Sequence, residues 1–115
     1  MAPPLVLKEA MSRADEIRLY SDELARRFHP QKIVLLGSHA SRQATKDSDV
    51  DMLVVMPHKG PAAAQAARIR QQLRAPFSLD LIVRSPQVLR QRLKLGDSFL
   101  KTVIDEGKVL YESAC

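Results

Sequence analysis

The chain has 115 residues, 45% of them hydrophobic, and one cysteine. That length fits one domain with a modest core, and no apolar stretch approaches the roughly 20 residues needed to span a bilayer. Lysine and arginine exceed the acidic residues by 18 to 13, a net charge of +5 that permits an acidic partner or nucleic acid. The start lacks a basic segment followed by an apolar core, so a secretion signal is not expected and a cytoplasmic protein is the default. Cys115 is the lone cysteine and the last residue, so no internal disulfide can form.

A lead-in occupies residues 1–11. Ser12, with Asp15 three residues later, resembles a capping box, and Ile17, Tyr20, Leu24 and Phe28 recur at helical spacing. The pattern predicts a helix over 12–28, stopped by Pro30. Residues 33–36 form a continuous apolar run, read as a strand buried on both faces. A polar loop from Gly37 to Asp49 follows, whose first half, 39–44, suits a short helix with its N-terminus at Gly37-Ser38. A second strand is expected over 51–56.

Pro61 suits the first turn of a helix over 61–74, where Ala62, Ala66, Ile69 and Leu73 make an apolar stripe. A third strand is read over 77–83. Ser85 and Pro86 open a helix through about 93, and Asp97 caps another with Phe99, Leu100, Val103 and Ile104 on its inner side. Gly107 ends that helix, and residues 109–111 suit a short strand at a sheet edge. This order predicts an α/β or α+β fold, a small mixed sheet flanked by helices. The basic excess is spread over Arg68, Arg70, Arg74, Arg84, Arg90, Arg92 and Lys94, mostly on helices. It reads as a solvated face first and a protein-docking surface second. A nucleic-acid track is disfavoured, because no aromatics interleave to stack bases.

The chemistry concentrates between residues 37 and 51. Gly37-Ser38 is followed by ten residues and then Asp49-Val50-Asp51 at the start of a strand. Alternation points both carboxylates to one face. Like charges held that close repel unless a cation neutralises them, and Mg²⁺ prefers carboxylate oxygens together with substrate phosphates. Asp80 is the one ionisable residue in its strand segment, on the face opposite Phe77, Leu79, Leu81 and Val83. If that strand lies beside 51–56, Asp80 completes a three-carboxylate cluster; otherwise it is an edge residue facing water. Three carboxylates can hold two cations, with Asp80 on the acceptor side as general base. Gly37 lets the backbone approach a phosphate, and the Ser38 hydroxyl adds a donor.

Gly37, Ser38, Asp49 and Asp51 resemble, at the same spacing, the motif of the minimal nucleotidyltransferases of the DNA polymerase β superfamily. Asp80 is similar to that family's third carboxylate, and residues 99–112 are similar to its closing helix and strand. The resemblance covers roughly 12–112. It implies a polymerase β-type palm fold and two-metal, Mg²⁺-dependent transfer of a nucleoside monophosphate, usually AMP from ATP, to a hydroxyl. It also implies a HEPN-domain partner, with the chain acting as antitoxin and a tyrosine of that partner as acceptor. Larger relatives carry a further helical domain that this chain lacks, so a partner or a second copy must supply acceptor contacts. The family commonly has Arg-Ala-Arg-Gly after Gly-Ser. Here His39-Ala40-Ser41-Arg42 stands instead, with Arg42 and Lys46 keeping positive charge in the loop. The alternative is a binding module that neutralises its partner by docking.

Overall fold

The computed structural model describes residues 11–45 and 47–114. Residues 1–10 of the lead-in, Lys46 and Cys115, each given a reading above, lie outside the described residues. Helix α1 spans Arg13–Phe28 and opens on the expected capping box. The Ser12 hydroxyl accepts from the Asp15 amide, and the Asp15 carboxylate accepts from the Ser12 amide. His29 closes it in the left-handed region (φ 50°), immediately before Pro30. Strand β1 (Lys32–Leu36) leads directly into α2 (Gly37–Ser41), and β2 follows at Val50–Val55. Helix α3 (Ala62–Gln72), β3 (Leu79–Arg84), α4 (Pro86–Lys94), α5 (Ser98–Glu106) and β4 (Lys108–Glu112) complete the order.

The four strands form one mixed sheet in the order β3-β2-β1-β4. β1 runs antiparallel to both β2 and β4, whereas β2 and β3 are parallel, joined by the crossover through α3. Alternation along the strands divides the packing into two layers. Ile33, Leu35, Met52, Val54, Leu81 and Val83 face α1 and α3, meeting Ile17, Tyr20, Leu24, Ala66 and Ile69. Val34, Leu36, Leu53 and Val55 face the other way and meet Val103 of α5, with Ile82 and Leu89 at the margin. Burying a side chain such as Leu24 or Ile69 fully contributes about 1.5–3 kcal/mol. Tyr20 donates its hydroxyl to the Leu73 carbonyl (2.9 Å) and meets Phe77 edge-on, fastening α1 to the end of α3.

Four details depart from the sequence expectations. Helix α2 starts at Gly37 and stops at Ser41, because Arg42 turns left-handed (φ 65°) and returns its amide to the Ser38 carbonyl. β3 begins at Leu79 and not at residue 77, which places Asp80 at the strand's opening and not its middle. Phe99 and Ile104, expected inside, are 52% and 40% exposed, while Leu100 and Val103 take the inner face of α5. At 3.6 residues per turn these four side chains spread over about 140° of the helix, with Leu100 and Val103 in the middle of that arc and Phe99 and Ile104 at its margins, and the sheet covers the inner two. Finally, Gln65 is buried on α3 beside Met56. Among the described residues no helix is long and apolar enough to cross a membrane.

Candidate active site

The sheet brings the Gly37 turn, Asp51 and Asp80 to one end of one face. In the antiparallel β1–β2 pair Leu36 lies opposite Asp51, so the turn into Gly37 starts beside that aspartate. Gly37 has φ +66°, a left-handed backbone that glycine adopts without strain. A β-carbon there would stand 2.7 Å from Asp51 Oδ2, so any other residue would push that carboxylate aside. In the parallel β2–β3 pair Asp51 lies directly opposite Asp80. β3 is the edge strand and Asp80 is exposed; an edge position and a place beside Asp51 hold together.

Electrostatics ties the carboxylates together. The Asp51 carboxyl titrates above its ordinary value, chiefly because burial removes water from it, and then because Asp80 and Asp49 repel its charge. A hydrogen bond shared with Asp80 adds to the rise, and His39 opposes it. Asp49 is exposed on the segment entering β2 and acts on Asp51 through its charge. Among the described residues no three acidic, imidazole or thiol side chains converge as a complete metal-ligand set. The pair brought together is Asp51 and Asp80, with Asp49 nearby and not converged. The donors are all hard oxygens, and the mutual repulsion at Asp51 is the strain a divalent cation relieves, so these residues fit Mg²⁺ in chemistry.

The loop between α2 and β2 is held by polar contacts. His39 Nε2 lies 3.3 Å from the Ser48 carbonyl, which can only accept, so Nε2 carries the proton and donates. The Ser48 hydroxyl in turn accepts from the Thr45 amide (2.9 Å). His39 therefore bridges α2 to the residue preceding Asp49. The opening of α2 offers Gly37 and the Ser38 side chain to the same space as Asp51.

That space is a cleft of about 740 Å³, within the range of small-molecule sites. Leu36, Asp51 and Ile82 form its floor, α2 one wall, and Phe99, Thr102, Val103 and Glu106 of α5 the other. The α5 wall was missed in the sequence, where Phe99 reads as a core residue. A signal was present: Phe99, Val103 and Glu106 recur at helical spacing on a face adjacent to the one carrying Leu100.

The sequence matches the family model described as nucleotidyltransferase domain over residues 17–110. It is 31% identical over 81 residues to a protein of Methanocaldococcus jannaschii named as a putative protein adenylyltransferase, covering 70% of this chain and 78% of that protein. Among solved structures, that of a toxin–antitoxin with AMP-PNP matches at a TM-score of 0.49 and 19% identity, over 84% of this chain and 74% of the other. The toxin–antitoxin MntA-HepT matches at 0.43 and 19%, over 89% and 74%. The matched span runs from α1 to β4 and contains the Gly37 turn and all three aspartates, and on it the chain belongs to the nucleotidyltransferase domain family.

Proposed function

We propose that this nucleotidyltransferase moves AMP from ATP to a hydroxyl, with a tyrosine of a HEPN-type toxin as acceptor, and so serves as that toxin's antitoxin. The observation that carries the reading is the placement of Asp51, on the floor of a nucleotide-sized cleft beside the Gly37 turn, with Asp80 directly opposite it on the neighbouring strand. Gly37 and Ser38 bind the triphosphate through backbone approach and a hydroxyl donor. Asp49, Asp51 and Asp80 would hold Mg²⁺, Asp49 by a rotation of its exposed side chain. Bound Mg²⁺ supplies neutralisation of the phosphate charge and makes the acceptor hydroxyl more acidic. The acceptor oxygen forms a bond to the α-phosphorus as the α–β anhydride bond breaks, and pyrophosphate leaves. Asp80, exposed at the sheet edge where an acceptor can approach, takes the hydroxyl proton. Positioning and charge do most of the work.

Incubation with ATP labelled at the α-phosphate, Mg²⁺ and the partner protein should transfer label to the partner. Asp51→Asn and Asp80→Asn should each reduce the rate by at least about a hundredfold, the scale of general acid–base and electrostatic contributions. Transfer undiminished in both variants would sink the assignment. A complex that silences the partner with no transfer and no ATP binding would favour the docking module, which the His39–Ser41–Arg42 departure from the family's arginines keeps as the second reading.

A further inference from the structure

Phe99 is 52% exposed although aromatics number only five in the chain. It does not belong to either packed layer, and it is the one aromatic lining the cleft that holds Gly37, Ser38 and Asp51. The geometry points to α5 as the nucleoside-recognition wall of this site, with the Phe99 ring as the platform on which the nucleobase stacks. The inference rests on the nucleotidyl-transfer reading above and adds residues to it that the motif does not contain.

The direction of α5 supports this occupant. Its C-terminal end, Glu106-Gly107, abuts the end of β1, since a β-carbon on Gly107 would collide with Val34 and approach the Leu35 carbonyl. That end therefore lies beside the Gly37-Ser38 turn. Phe99 is seven residues back along the helix from Glu106, about 10 Å away at 1.5 Å per residue. A group with phosphates at the turn reaches Phe99 only if it extends as a nucleotide does. Between the two ends the wall presents Thr102 and Val103. The Thr102 hydroxyl is an acceptor for a ribose hydroxyl. Stacking on an aromatic face tolerates any base, so the wall holds a nucleoside without dictating purine identity.

The test compares Mg²⁺-ATP with Mg²⁺-tripolyphosphate, which has the phosphates and no nucleoside, by calorimetry on the whole chain. Phe99→Ala should weaken ATP binding about tenfold, in line with base–aromatic stacking, and leave tripolyphosphate binding unchanged. Phe99→Tyr should restore ATP affinity. Ile104→Ala, a substitution of the other half-exposed apolar residue of α5, which does not line the cleft, should match wild type. Because Phe99 is half exposed, Phe99→Ala should fold, and its thermal midpoint should stay near wild type. Equal ATP affinity in Phe99→Ala and wild type would overturn the inference while leaving transfer intact. So would a loss confined to the KM of the protein acceptor, which would make Phe99 a partner contact. Failure of wild type to bind either ligand would instead bring down the functional reading itself.

Discussion

Gly37→Ala tests the closest approach in the site. Two costs are written into the position. A left-handed φ of +66° costs a residue with a β-carbon roughly 1–2 kcal/mol. The new methyl would also stand 2.7 Å from Asp51 Oδ2, and moving that carboxylate off its rotamer adds about 0.5–1.5 kcal/mol. Together they predict a loss of about 1.5–3.5 kcal/mol in urea unfolding. Gly60→Ala supplies the internal control, because Gly60 shares the left-handed backbone (φ +73°) and a methyl added there would meet nothing within 4 Å. It should lose only the backbone part, about 1–2 kcal/mol. The decisive measurement is Gly37→Ala placed on Asp51→Ala, where the contact no longer exists and the penalty should fall to the Gly60 level. An undiminished penalty there would refute the close approach as the reason for glycine.

Two further substitutions probe charge and burial. Asp51→Asn removes a carboxyl whose folded pKa lies above its ordinary 3.8. Such a group binds protons more readily when folded, so its ionisation opposes folding increasingly as pH rises through that raised value. The variant should therefore be more stable than wild type at neutral pH, with the gain vanishing below the ordinary value; a gain that grew on acidification would contradict the crowding of Asp51 by Asp80 and Asp49. Tyr20→Phe deletes the hydroxyl bonded to the Leu73 carbonyl and should cost about 1 kcal/mol by denaturant unfolding. Burial pushes the Tyr20 phenol up to about 12, so whatever stability the neutral phenol contributes is lost as pH rises from about 10 toward that value, and only the wild type should show this loss.

Much of this architecture could be read from the chain because its signals are local. Ser12 and Asp15, Ser85 with Pro86, and Asp97 mark helix starts by side-chain chemistry that needs no tertiary context, and each cap forms with its expected amide. The alternation of Leu79, Leu81 and Val83 already placed Asp80 on the opposite face. What was not legible depended on neighbours distant in sequence. The sequence left open whether Asp80 would pair beside Asp51, because strand order follows from the α3 crossover and not from either strand. Phe99 and Ile104 looked like core because their type is apolar; only the position of α5 over the sheet decides which of its faces is covered. The brevity of α2 follows from Arg42 turning left-handed, a conformation its residue type does not announce.

The aspartates and the deepest core share strands but not faces. Asp51 alternates with Met52, and Asp80 with Leu81, whose burial against α1 and α3 fixes where each strand sits. A one-residue slip would bury a carboxylate and expose a core side chain at once, so the spacing of the acidic pair is guarded by residues that never touch a substrate. The dependence does not run the other way: nothing in the packed layers requires the carboxylates. A lineage of this chain could exchange them for amides and keep a sound, even sturdier, protein. Folding competence is thus no proxy for catalysis here, and descendants that have lost the carboxylates would be nearly indistinguishable in shape from those that still turn over.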